Sequence, residues 1–103
     1  MSYKISLSQN VTLNRTDGKS VLFSKKTGSF FGLNRSADEI VTALFTSDAD
    51  RVVEEISTRF QVPRADVARD VGLLVDSLEK ANLVIRVPVT NKNQKGEKDE
   101  TNE

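Results

Sequence analysis

Ser, Lys, Asp and Glu give this chain side chains with nucleophilic or acid–base capacity, yet no spacing among them forms a recognisable catalytic constellation. The 103 residues include no His and no Cys. A Cys nucleophile and a His-based triad are therefore excluded, because the atoms they need are missing. A zinc site is disfavoured for the same reason, since zinc is held by thiolates and imidazoles, and no disulfide framework can form. The expectation is binding rather than catalysis, with no catalytic residue, no metal and no cofactor. The chemistry left is that of the main chain, whose N–H and C=O groups can capture another polypeptide wherever a strand edge is open.

The elements that would present such an edge lie in the first third. Val11-Thr12-Leu13 alternates apolar and polar residues, and Asp17-Gly18 is a strong hairpin dipeptide. Val21-Leu22-Phe23 follows, then the turn Lys26-Thr27-Gly28, then Ser29-Phe30-Phe31-Gly32-Leu33. Three strands and two tight turns predict an antiparallel meander, with a little extended structure before it at Ile5 and Leu7. Alternation puts Phe31 and Leu33 on one face of the last strand and Phe30 and Gly32 on the other. One aromatic must be core. The other either packs under the first helix or lies on a second surface, where Gly32 lets another backbone approach.

After Leu33 the apolar period changes from two to about 3.6. Ser36-Ala37-Asp38-Glu39 has the form of a capping box, followed by Ile40, Val41, Leu44 and Phe45 on one helical face. Ser47-Asp48-Ala49-Asp50 offers a second N-cap, and Val52, Val53, Ile56 and Phe60 form the buried stripe of a second helix. Pro63 suits the first turn of a third helix, which buries Val67, Val71, Leu74 and Leu78 and stops at Ala81-Asn82. Leu73 falls well off that stripe, among Asp66, Asp70 and Ser77. It is either an ordinary exposed Leu or the floor of a peptide groove. A short strand, Leu83–Val87, ends at Pro88. The expected fold class is α+β and winged-helix-like: a three-stranded antiparallel N-terminal sheet packed on a three-helix bundle, with a short C-terminal strand. Residues 1–89 make the domain. Residues 90–103 lack Val, Ile, Leu, Phe and Met and are dense in charge, which predicts a disordered tail.

Fifteen basic residues balance fifteen acidic ones. Residues 1–35 hold six basic side chains against one acid, whereas residues 36–89 hold six against ten. Helix-start acids and turn lysines account for such a split; so would two faces of opposite sign around a groove. The third helix, the one a winged helix would offer to DNA, carries Arg64, Arg69 and Lys80 against Asp66, Asp70, Asp76 and Glu79. That sign is wrong for phosphates, so nucleic acid is not an expected partner. No apolar run approaches the roughly 20 residues of a membrane span, and no signal peptide is evident at the start. A cytoplasmic protein, monomeric or weakly dimeric, is expected.

The stretch TGSFFGLNRSADEI (Thr27 to Ile40) resembles the signature of the PqqD-like family, in which a strand ending in aromatic-x-Leu-Asn leads into a helix. VARDVGLLVDSLEKANLV (Val67 to Val84) is similar to that family's third helix, and the resemblance covers about Val11 to Val87. It implies a RiPP recognition element, a non-catalytic domain of ribosomal peptide biosynthesis. Such domains bind the leader segment of a precursor as an added antiparallel strand and present the rest to a modifying enzyme. Carried across by position, Ser29, Phe30, Phe31, Gly32 and Leu33 would supply main-chain bonds, and Asp66, Arg69, Asp70, Leu73 and Ser77 would line the groove. SKKTGSFFGLN resembles the lasso-peptide branch, with a separate leader peptidase as partner, more than the pyrroloquinoline quinone branch and its radical SAM enzyme. Lys25-Lys26 departs from the residues common at that turn. A DNA-binding regulator and a module that self-associates through the same strand edge are the remaining alternatives, with an enzyme the least expected.

Overall fold

The computed structural model describes residues 2–89. In chain order these are β1 (Ser2–Leu7), β2 (Val11–Thr16), β3 (Lys19–Ser24), β4 (Phe30–Leu33), α1 (Arg35–Thr46), α2 (Ala49–Phe60), α3 (Arg64–Lys80) and β5 (Val84–Val89). The tail expected to be disordered, 90–103, lies outside the described residues. The described residues are mixed α/β, with three helices and two antiparallel sheets: the meander β2-β3-β4 and the separate ribbon β1-β5.

Turn chemistry sets the meander. Asp17 and Gly18 both have positive φ, 53° and 76°, as a two-residue type I′ turn requires and as Asp and Gly tolerate best. At the second turn Gly28 takes φ 78°. Buried Ser24 organises that loop: its C=O accepts the Gly28 N–H at 2.9 Å, its Oγ accepts the Thr27 N–H at 3.2 Å, and its own N–H donates to Ser29 C=O at 2.9 Å. Ser29 therefore belongs to the turn, one residue before the strand expected to include it.

β1 is a full six-residue strand where only traces of extension were expected at Ile5 and Leu7. It pairs along its whole length with β5, from Leu7↔Val84 to Ser2↔Val89. Pro88 does not end β5 as anticipated. Ser8 N–H donates to Leu83 C=O at 3.0 Å, and the alternation of an antiparallel ladder then turns the Pro88 nitrogen outward, where its missing N–H costs no bond.

The helix starts are corrected by one or two residues. Asn34, extended at φ −72° and ψ 176°, caps α1 by accepting the Ala37 N–H at 2.8 Å. Ser36 is therefore already helical, and the expected capping box gives way because β4 delivers an extended Asn two residues sooner. Asp48 caps α2, accepting the Arg51 N–H at 2.9 Å. Pro63 stands just before α3 rather than inside its first turn. At the far end Asn82 is left-handed (φ 60°), and Leu83 N–H to Leu78 C=O and Asn82 N–H to Glu79 C=O, both 2.9 Å, close a Schellman motif where the sequence predicted the stop.

One core joins both sheets to the helices. Ile5, Leu22, Leu33, Val41, Leu44, Val52, Val71, Leu78 and Leu83 are among its buried members. α1 and α2 pack on β1, α3 packs on β5, and α1 also touches β3 and β4. Two expected core positions differ. Phe60, at the last position of α2, is 57% exposed, because Gln61 turns left-handed there and takes the chain away from the core. On α3, Val75 is fully buried while Leu74 is only half-buried. At 100° per residue the stripe thus centres roughly 35° from Val67 toward Val75, which leaves Leu74 on the border with Asp70 and Ser77.

The meander is fastened to α1 through Asp38. Arg15 on β2 makes a bidentate pair with it (Nη2–Oδ1 2.8 Å, Nε–Oδ2 3.1 Å), buried Ser20 on β3 donates a short hydrogen bond, and Thr42 donates at 3.0 Å. The hydrogen bond from Arg15, then that from Ser20, hold the Asp38 carboxyl well below the usual carboxylate range. A depressed folded-state pKa gives stability that is full above the unfolded-chain value of about 4 and is withdrawn as pH falls through the folded one. Asp38→Asn is expected to cost about 1–2 kcal/mol at pH 7, measured by urea unfolding, with the gap to the native protein shrinking steadily below about pH 4. A gap independent of pH would show that the carboxylate's charge is not what fastens the sheet.

Candidate functional site

β4 pairs on one side only, with β3, in the register Phe23↔Phe30, Leu22↔Phe31, Val21↔Gly32 and Ser20↔Leu33. Among the described residues no strand lies on its other side. The Ser24 N–H to Ser29 C=O bond fixes the phase of the ladder. In an antiparallel pair the mutually bonded residues alternate, so Phe31 and Leu33 turn their peptide groups toward β3. Phe30 and Gly32 turn theirs outward. Two N–H donors and two C=O acceptors thus form an open rim.

Side chains divide by face. Leu33 is buried in the core and Phe31 packs against it, half-buried. Phe30 is 66% exposed, so it does not pack under α1. It sits opposite Phe23, itself exposed, on the outer face of the meander. This aromatic pair escaped the sequence reading, although alternation around the buried Leu22 was the signal for it. Gly32 has nothing within 4 Å of the place a Cβ would occupy, so the outer face of β4 is open at this residue.

The five α3 candidates are all exposed, and four of them, Asp66, Asp70, Leu73 and Ser77, recur at the spacing of one helical face. Leu73 is 59% exposed. Arg69 sits between its acidic neighbours, 3.6 Å from Asp66 and 4.0 Å from Asp70. Farther along, Asp76 and Glu79 are engaged elsewhere: both bind Arg86 of β5, whose guanidinium lies over the Tyr3 ring at 4.8 Å. The hydrogen bond to Asp76 above all raises the Arg86 pKa. The free part of the α3 face is therefore an apolar spot, Leu73, with half-buried Leu74 beside it and carboxylates toward its N-terminal end. Such a surface suits an apolar side chain on an extended peptide far better than a phosphate. No hydrogen bond or ion pair among the described residues joins the β4 candidates to those of α3.

A concavity adjoins this face at Asp70. α1, the C-terminal part of α2 and the first half of α3 enclose a cleft of about 270 Å³, with Asp70 and exposed Phe60 among its lining residues. Among the described residues no group of His, Cys, Asp or Glu could hold a metal ion, and no helix is long and apolar enough to cross a membrane.

Three comparisons bear on this arrangement. Two solved structures share the fold. One is described as a lasso peptide synthetase B1 complexed with the leader peptide; it has 26% sequence identity and a TM-score of 0.74, covering 80% of this chain and 98% of that one. The other is TbiB1 in complex with the TbiA(beta) leader peptide, with 26% identity and a TM-score of 0.67, covering 77% of this chain and 93% of its own. A search of curated proteins finds no match. The family model described as coenzyme PQQ synthesis protein D (PqqD) matches residues 19–84, from the first residue of β3 to the first of β5. With the open β4 rim and the α3 face inside that span, this chain is a PqqD-like recognition element and belongs to the PqqD family.

Proposed function

We propose that this chain is a non-catalytic leader-peptide-binding protein of lasso peptide biosynthesis, which captures a ribosomal precursor by adding its leader as an antiparallel strand to β4. The observation that carries the reading is the outward-facing pair of peptide units at Phe30 and Gly32, beside a glycine with open space around it. Both structural relatives are complexes with leader peptides, which supports the same kind of ligand here. Ser29 through Leu33 contribute chiefly through the main chain. Phe30 meets side chains on the outer face of the added strand, and Leu73, flanked by Asp66, Arg69, Asp70 and Ser77, meets those on the other.

Four main-chain bonds at about 0.5–1.5 kcal/mol net each do little more than offset the ordering of a free peptide. Two or three apolar anchors must therefore set the affinity. Held this way, the remainder of the precursor is delivered to a modifying enzyme, a leader peptidase in the lasso setting. The family's link to coenzyme PQQ synthesis supports a second reading, a peptide chaperone for a radical SAM enzyme in a quinone-type pathway. Both place the protein in the cytoplasm, where precursors are made.

The test is calorimetric titration with synthetic lasso-precursor leader peptides, the TbiA(beta) leader bound by the structural relative first among them. Saturable one-to-one binding is expected. Absence of binding, or binding only to duplex DNA, would overturn the reading.

A further inference from the structure

Lys25 and Lys26 are exposed neighbours in the turn that leads into β4. Every ion pair among the described residues uses an arginine, so neither lysine has a counter-charge there. Lys26 lines a pocket of about 390 Å³ where three connections meet: Ser8 and Gln9 between β1 and β2, Ser24 and Thr27 at the end of β3 and in its turn, and Asn82 after α3. The Lys25 N–H donates to Asn10 C=O at 2.9 Å and ties two of those connections together.

The lining holds hydroxyls, carboxamides and one ammonium, and no carboxylate. Ser24 is only 2% exposed, and its Oγ accepts the Thr27 N–H at 3.2 Å, which leaves its own proton to donate. No hydrogen bond among the described residues engages the side chains of Ser8, Gln9, Lys26 or Asn82. A carboxylate offers about four lone-pair sites to such donors and takes up the lysine's charge as well. The cavities on the α1–α2 side differ: there acids and arginines already supply each other's counter-charge.

Position says whose carboxylate it is. Ser36, just beyond the Leu33 end of β4, shares a cleft with Val67 and Asp70 from the first half of α3. Asn82, just beyond α3, shares this pocket with the turn at the Phe30 end. A peptide antiparallel to β4 therefore leaves past Lys26 with the residues that follow its paired segment.

We propose that this pocket is a subsite for a side-chain carboxylate, an Asp or Glu of the bound peptide about two to four residues downstream of the one opposite Phe30, at the roughly 3.3 Å per residue of an extended chain. The inference rests on the strand-addition reading and adds to it a polar determinant on the side where the precursor continues.

Display of random 16-residue peptides on the purified protein supplies the probe. Selection on the native protein should enrich Asp or Glu downstream of the paired segment, and selection on Lys26→Glu should replace that preference with Lys or Arg. For the tightest native binder, Lys26→Gln and the acid-to-amide change in the peptide should each lower affinity about three- to tenfold, between the worth of an exposed ion pair and that of a charged hydrogen bond. Combining them should add little, because both remove the same contact. Lys25→Gln removes the same charge next door without touching the pocket lining, and should cost less than about twofold. Fully additive losses, equal effects of the two lysine variants, or no downstream acid preference would overturn the subsite while leaving strand addition intact. A library that yields no binder to the native protein would instead overturn the strand-addition reading beneath it.

Discussion

Leu73→Asp is expected to lower leader affinity by about a hundredfold or more while shifting Tm by no more than a few degrees. The stability half follows from exposure: Leu73 contributes little to the core, and surface changes usually stay within about 0.5 kcal/mol. The affinity half has two sources. Burying a Leu side chain against a partner is worth about 1.5–3 kcal/mol. A carboxylate in its place would be desolvated on a face that already carries Asp66 and Asp70, and Arg69, one turn back, is already shared between those two. Calorimetry and thermal melting on the same preparation separate the two. Unchanged affinity would show that the groove lies elsewhere on the molecule.

Neighbouring phenylalanines should behave as opposites. Phe31→Ala removes a half-buried ring from the core side of β4 and should cost about 2 kcal/mol, below the 3–5 typical of fully buried aromatics. In a domain this size that lowers Tm by roughly 8–16 °C. Phe30→Ala should leave Tm nearly unchanged, since the ring is mostly in solvent beside Phe23, and lower leader affinity about tenfold. Equal effects of the two variants on both quantities would contradict the face assignment on which the rim geometry depends.

Local rules made much of this fold legible before the structure. Asp17-Gly18 announced its own turn, Asn82 its helix stop, and the switch of period after Leu33 marked the passage from sheet to helices. What escaped depends on pairing between distant segments. β1 is a strand because β5 completes it, seventy-odd residues later, and Pro88 is tolerated only because of the phase of that ladder. Phe60 fits the apolar period of α2, yet the left-handed turn at Gln61 leaves it outside. Helical spacing correctly put Leu73 off the core stripe, but counted Leu74 within that stripe, whose centre lies toward Val75. The Asp38 cluster, which joins β2, β3 and α1, has no signature in any one stretch of sequence. The exposed Leu73 face was thus more legible than the cleft adjoining it, whose walls come from three helices.

The central claim is that the peptide units of Phe30 and Gly32 are where a foreign chain docks. Amide hydrogen exchange, read residue by residue with and without saturating leader peptide, tests this most directly. The account predicts fast exchange at the Phe30 and Gly32 amides in the free protein and strong slowing in the complex, while the Phe31 and Leu33 amides, already bonded to β3, are slow in both. Slowing confined to the outer edge of β2 or to the β1-β5 ribbon, with Phe30 and Gly32 unchanged, would contradict it.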